Sequence, residues 1–338
     1  MPTTRPRACA VMAADSFAAL FDDARTARFA ALAEITGAVL VDDVTDPGHA
    51  AHLAEAEVVI TSWGAPPFDA ALLERMPQLR AIFHAAGSVR HHVDEAVWDR
   101  GILVTSAADA NAVPVAEYTL AAIILSGKRA FAHVHTDVRD DESGNVLAPE
   151  RTIGNVDRTV GIVGFSRIGR RVVELLRPLD GLRVLVADPY ADAGAVAAAG
   201  ATLVTLDELL PQLDVLSLHA PDLPSTRHMI GTAQLAALPD GATVINTARG
   251  ALLDHDALLA ECRAGRLDAV LDVTEPEPLP AASALRHLPN VTITPHLAGS
   301  LGTELRRLAD AALDELVAYV AGRPPRHPVT RADMETTA

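Results

Sequence analysis

Thr159-Val160-Gly161-Ile162-Val163-Gly164-Phe165-Ser166-Arg167-Ile168-Gly169, running on into Arg170-Arg171-Val172-Val173-Glu174-Leu175-Leu176, is the stretch of this 338-residue chain that decides its fold. A β-branched apolar run reads as a buried strand, the glycines as a tight turn, and the mixed apolar and charged run as a helix. A second strand pattern covers Leu182 to Ala187, and Asp188 follows nineteen residues after Gly169. Strand, glycine turn, helix N-terminus and a later acid are what a dinucleotide requires. The turn admits the pyrophosphate, the helix amides face it, and the acid takes the ribose hydroxyls. Gly164 opens the turn, Arg167 and Ile168 lie within it, and Gly169 permits close packing of helix on strand. An acid at Asp188 repels a 2′-phosphate, which favours NAD over NADP. The middle glycine is replaced by Ser166, so a Cβ and a hydroxyl must be accommodated. The expectation is that this hydroxyl donates to a phosphate oxygen. A nucleophile elbow is excluded, because Ile168 stands where that motif needs glycine.

Outward from the turn, strand patterns recur near 159–164, 182–187, 214–218, 242–246, 268–272 and 291–294, with helical stretches between, predicting six strands in one doubly wound domain. Upstream, short β-branched runs at Val39–Val41, Val58–Thr61, Leu79–Phe83 and Ile102–Thr105 alternate with alanine-rich helical segments, predicting a second parallel sheet. The apolar run Val113–Leu125 predicts a buried helix, too short to span a bilayer. Arg139–Arg158 reads as a loop into the next unit. Leu301, Leu305, Leu308, Leu313, Leu316 and Val320 recur at helical spacing, Gly322 and Pro324-Pro325 end that helix, and a short polar tail follows. The predicted class is α/β, with two Rossmann-like or flavodoxin-like domains of doubly wound parallel sheet. Residues 1–108 and 299–338 form the substrate domain, and the NAD domain, 109–298, is inserted into it. Their cleft is expected to hold the reaction, with closure excluding water.

Composition narrows the partners. Hydrophobic residues are 49% and charged ones 21%, an ordinary globular balance. The net charge of −16 disfavours nucleic acid and anionic membrane as partners. The N-terminus lacks a basic stretch leading into an apolar core, and Cys9 and Cys262 are isolated, so a reduced, cytoplasmic protein is expected. His84, His91, His92, His133 and His135 lack carboxylates or cysteines at ligand spacing, and no metal site is expected. His84 and Arg90 are instead candidates for a substrate pocket. Lys128-Arg129 is read as complementing the C-terminus of the apolar helix.

Reducing a 2-keto acid takes a cation for the carboxylate, an acid for the forming alkoxide, and a group that stabilises the charged form of that acid. Arg249 ends Val244-Ile245-Asn246-Thr247-Ala248-Arg249 and carries a fork suited to a carboxylate. His296 follows Val291-Thr292-Ile293-Thr294-Pro295 at a strand mouth. Glu277, held between Pro276 and Pro278, is placed to pair with it, and Glu275 reads as a solvated loop acid.

These motifs, with Ser217-Leu218-His219-Ala220-Pro221, Thr226-Arg227-His228 and Leu271-Asp272-Val273, resemble in order the D-isomer-specific 2-hydroxyacid dehydrogenases over nearly the whole chain. The resemblance implies that Arg249, Glu277 and His296 are catalytic. It implies that His219, Ala220, Pro221, Thr226, Thr247, Ala248, Asp272 and Gly299, along with Arg249 and His296, border the NAD. It also implies that Ala86, Gly87 and Ser88 hold the substrate carboxylate through backbone amides, in a loop that Arg90-His91-His92 lengthens. A homodimer through the Val113–Leu125 helix is implied as well. Glyoxylate or hydroxypyruvate is the favoured substrate. Formate is disfavoured, because the formate enzymes carry glutamine where Glu277 stands, and the regulatory extension of some phosphoglycerate dehydrogenases is not seen beyond Ala338. Phosphite oxidation and an NAD-sensing scaffold resembling the C-terminal-binding-protein corepressors are the alternatives.

Overall fold

The computed structural model describes residues 5–35, 37–133 and 153–336. The chain divides into two compact units, Met1–Ala112 with Ser300–Ala338, and Val113–Gly299. The split after Ala112 lies inside one continuous helix, Ala108–Gly127, near the boundary expected after residue 108.

In the first unit the strands β1 (Ala8–Val11), β2 (Leu40–Val41), β3 (Val58–Thr61), β4 (Ala81–His84) and β5 (Leu103–Ser106) run parallel in the order β2-β1-β3-β4-β5. Alternate residues feed opposite faces. Ala8, Ala10, Ile60 and Phe83 pack with Leu308, Leu313 and Leu316 of the helix Leu305–Val320. Cys9, Val11, Val59 and Ile82 pack with Leu53, Leu72, Leu73 and Val97 on the other side. Strand β1 was not among the expected strands. Ala-Cys-Ala-Val has weak β-propensity, but it lies between β2 and β3 with all four residues buried, and that environment overrides propensity.

The second unit holds β6 (Arg158–Val163), β7 (Leu182–Ala187), β8 (Thr202–Leu203), β9 (Val215–Leu218), β10 (Thr243–Asn246), β11 (Asp268–Leu271) and β12 (Val291–Ile293). All are parallel, in the order β12-β11-β10-β9-β6-β7-β8. The six expected strands are joined by β8, a two-residue edge too short to leave a periodic signal. The order in which strands are added reverses between β6 and β9, the switch point outside which ligands bind in such sheets.

The helix Ala108–Gly127 has 20 residues, more than the apolar run suggested, and passes through Pro114. By length and composition it is apolar enough to cross a membrane, so the expectation that it is too short is corrected. Half of its apolar window is nevertheless buried, and Ala116, Ala122 and Ile123 pack with Ile162 and Val172. Most of the expected 139–158 loop lies outside the described residues.

The polar tail also forms structure. Glu315, 2% exposed within its helix, accepts hydrogen bonds from the backbone of Arg326 at 3.0 Å and of His327 at 2.8 Å. That turns the chain so that β13 (Pro328–Val329) pairs antiparallel with β5. Both cysteines are buried and unbridged, and burial pushes each thiol up to about 12.

Candidate functional site

The glycine turn follows β6 at the switch point. Gly164 has φ +94°, a region L side chains rarely adopt, and a Cβ there would lie 2.6 Å from Ala220 N. A Cβ on Gly169 would lie 2.0 Å from the Gly164 carbonyl. Neither position tolerates a side chain, so backbone is brought up to backbone with the helix Arg167–Leu176 starting at the turn. Such a cradle fits a pyrophosphate. Asp188, at the end of β7, accepts from Phe165 N at 2.7 Å and from Tyr190 N at 2.8 Å. Its carboxylate is thus fixed beside the turn, with lone pairs left for ribose hydroxyls.

Ser166 fits because it is the helix N-cap, in an extended conformation that needs no glycine. Its Oγ accepts from Gly169 N at 3.5 Å and donates to the His219 carbonyl at 2.9 Å. The hydroxyl proton is therefore committed to β9's end, which corrects the expectation of a phosphate donor. Ser166→Ala is expected to cost about 1 kcal/mol of stability, as N-cap losses do, and Ser166→Gly less; denaturant unfolding reads both.

Several residues expected to border the cofactor spend their side chains on the protein. The His219 ring is 3% exposed, its Nε2 is 2.8 Å from Ser217 Oγ, and burial holds its pKa down at about 3. The Thr226 hydroxyl donates to the Pro221 carbonyl at 2.6 Å and accepts from Leu223 N at 2.9 Å, shaping the 221–226 loop. The Thr247 hydroxyl meets Thr119 Oγ1 at 2.9 Å. What Ala220, Pro221, Thr247 and Ala248 can offer a dinucleotide is main chain at the ends of β9 and β10.

Asp272 is 2% exposed and its carboxylate accepts from Thr294 Oγ1 at 2.6 Å, Leu297 N at 2.9 Å and Ala298 N at 2.9 Å. Its backbone carbonyl takes His296 N at 3.0 Å. Asp272 thus builds the turn that presents His296 and leads into half-buried Gly299. Because the Thr294 proton goes to Asp272, the Tyr118 hydroxyl must donate to Thr294, at 2.9 Å. Burial, with the Asp272 charge adding, raises the Tyr118 phenol pKa above its usual value. The roles of Tyr118, Thr294 and Asn246 escaped the sequence reading; Thr294, two residues before His296, and Asn246, three before Arg249, stood where a search could have found them.

His296 adopts φ +51°, a left-handed conformation costing a non-glycine residue about 1–2 kcal/mol. The Asp272 bonds hold it there. Its Nδ1 lies 2.5 Å from Glu277 Oε1, and both side chains are about half-exposed, at 53% and 40%. A carboxylate only accepts, so Nδ1 carries hydrogen and Nε2 is the free ring nitrogen. The structure therefore unites Glu277 and His296. Arg249 is half-buried at the end of β10, where Asn246 Nδ2 donates to its carbonyl at 2.9 Å, and its own Nη1 donates to the Ala248 carbonyl at 2.7 Å. Gly250 sets it against the Glu277 loop, since a Cβ there would lie 2.1 Å from the Thr274 carbonyl oxygen. Glu275 is not a free loop acid: Arg227 and His228 bind it at 2.8 and 3.0 Å.

In the first unit, Ala86, Gly87 and Ser88 follow β4. The Ala86 carbonyl accepts from Ala107 N at 3.0 Å, and a Cβ on Gly87 would lie 3.4 Å from Asn111 Nδ2. His84 is 2% exposed, with Nδ1 2.9 Å from Thr61 Oγ1 and its ring 5.0 Å from that of His92. Burial, then the nearby His92, lowers its pKa to about 3. His84 is thus buried against Thr61 and His92, and Arg90 donates to the Met334 carbonyl at 2.5 Å. Among the described residues no three His, Cys, Asp or Glu side chains cluster to hold a metal ion.

Residues 121–298 match the family model described as D-isomer specific 2-hydroxyacid dehydrogenase, NAD binding domain. The chain is 32% identical over 272 residues to glyoxylate/hydroxypyruvate reductase B of Yersinia enterocolitica, covering 80% of this chain and 82% of that one. It is 33% identical over 269 residues to a glyoxylate reductase of Aeropyrum pernix, covering 78% and 80%. Among solved structures, apo D-mandelate dehydrogenase of Rhodotorula graminis superposes with a TM-score of 0.80 at 25% identity, over 96% of this chain and 98% of that one.

Proposed function

Because the chain belongs to the D-isomer-specific 2-hydroxyacid dehydrogenases, NAD-dependent oxidoreductases that interconvert 2-keto and D-2-hydroxy acids, we propose that Arg249, Glu277 and His296 carry that reaction here. The observation that carries the reading is the His296–Glu277 pair, which leaves Nε2 as the proton-transfer atom. Bound NADH supplies the hydride to C2. His296 Nε2 gives its proton to the carbonyl oxygen, completing the hydroxy acid, and Glu277 stabilises the imidazolium from which that proton comes. Arg249 holds the carboxylate and polarises the carbonyl. In the first unit, backbone N–H groups of Ala86, Gly87 and Ser88 serve as donors to an anionic group. Asp188, fixed by two amides, selects NAD over NADP by repelling a 2′-phosphate.

Glyoxylate or hydroxypyruvate is the proposed substrate, supported by the names of the relatives. A panel of 2-keto acids assayed by NADH oxidation, with NADPH and with phosphite plus NAD as comparisons, is expected to give the highest kcat/KM with one of these two. Absence of turnover across the panel would favour an NAD-sensing scaffold, and turnover of phosphite alone would move the assignment to that chemistry. The proposal includes a cytoplasmic homodimer formed through the helix Ala108–Gly127, on which Leu125 is 41% exposed. Light scattering on the purified protein measures that mass.

A further inference from the structure

A second histidine–glutamate pair stands two residues from the first. Glu275 Oε1 meets Arg227 Nη1 at 2.8 Å, and Glu275 Oε2 meets His228 Nε2 at 3.0 Å. The partners are themselves anchored. His228, at φ +50°, donates its backbone N–H to the Ala251 carbonyl at 2.7 Å, and Ile230 N donates to Leu252 at 3.1 Å. The 226–230 segment is thereby stitched to the residues that follow Arg249. On its other side Gly250 lies against Thr274 and Glu275 N, where a Cβ would come within 2.7 Å. The loop closes on itself through Thr274 Oγ1, which donates to the Pro276 carbonyl at 2.9 Å. Burial raises the Glu275 carboxyl pKa, but hydrogen bonds from His228 and Arg227 outweigh it and hold the carboxyl below its usual value. His255 is a further titratable neighbour, influenced by both Glu275 and His228, and burial holds its pKa below the usual histidine value.

We propose that Glu275, gripped by Arg227 and His228, is a positioning residue that fixes the 274–280 loop so that Glu277 stays within hydrogen-bond range of His296. Two adjacent histidine–glutamate contacts then have separate duties. The inner one moves a proton, and the outer one keeps the inner one assembled. Glu277 is two residues from Glu275, and a displacement of about 1 Å in a catalytic contact is enough to cost turnover. The proposal rests on the reading of Glu277 and His296 as the proton-transfer pair.

The test compares full-length E275Q, R227Q, E277Q and E275Q/E277Q in steady-state 2-keto acid reduction, with NADH binding by fluorescence and thermal unfolding alongside. A positioning role lowers kcat of E275Q by roughly tenfold while leaving KM for the keto acid and NADH affinity within about twofold, the signature of an interaction needed in the transition state. R227Q, which keeps the His228 contact, shifts kcat in the same direction by less. The double variant is no slower than E277Q alone, because Glu275 acts only through Glu277. If E277Q slows turnover but E275Q lowers only the unfolding temperature, the clamp is structural and the proposal falls while the proton-transfer pair stands. Multiplicative losses in the double variant overturn it too. An E277Q enzyme with unchanged kcat overturns both the positioning role and the pair on which it rests.

Discussion

His296→Ala is expected to lower kcat for 2-keto acid reduction by roughly 10²- to 10⁴-fold, the span that general acid catalysis contributes. NADH affinity is expected to change little, because the proposed phosphate cradle and ribose acid, Gly164, Gly169 and Asp188, belong to the turns after β6 and β7. Glu277→Gln should produce a smaller loss in the same parameter, since it removes the stabilising charge but leaves the acid in place. Arg249→Ala should depress kcat/KM strongly by releasing the substrate carboxylate. Stopped-flow or steady-state NADH oxidation, paired with fluorescence titration of NADH, measures both halves of the expectation. Retained turnover in His296→Ala would remove this residue from the reaction.

The second large effect is on stability in acid. His84 in the first unit and His219 in the second are buried and held at about 3, in both cases chiefly by burial, whereas an unfolded histidine titrates near 6.5. Between these values the unfolded chain binds a proton that the folded one refuses, so stability falls as pH drops below about 6.5 and the loss is complete near 3. At pH 5 this costs each unit about 2 kcal/mol, and above pH 7 nothing. His92 and His255, also lowered mainly by burial, act in the same direction. Urea unfolding at pH 7 and pH 5 should show the difference. His84→Gln and His219→Gln, whatever they cost at pH 7, should flatten the pH dependence of the unit that carries them. A slope unchanged by both variants would mean that other groups drive acid unfolding.

Much of this architecture was legible in the chain because its signals are local. A strand, turn and helix within thirty residues carry their own periodicity, and the demand for glycine at Gly164 and Gly169 shows as glycine. The strands with β-branched runs were readable for the same reason. Strand β1 was not, because Ala8-Cys9-Ala10 owes its extended form to neighbours on both sides. Nor were β8 and β13, two-residue edges whose pairing is their main evidence. The residue types of the site were equally plain, since arginine, glutamate and histidine each followed a strand end and Glu277 was expected to pair with His296, whereas the groups that anchor them were not.

The opening turn marks the division. By itself the sequence determined a dinucleotide-binding turn and two parallel-sheet units, and it singled out Arg249, Glu277 and His296 as the groups proposed to handle a 2-keto acid. Only the tertiary structure decided where the protons and lone pairs go. The Ser166 hydroxyl is taken by His219, 53 residues away; Asp272 holds the His296 turn; Tyr118 reaches Thr294 across 176 residues; and Glu275 is clamped rather than solvated. The physical reason is range. Backbone propensity and periodicity act over a few residues, whereas burial and hydrogen-bond satisfaction depend on groups that only the folded chain brings together.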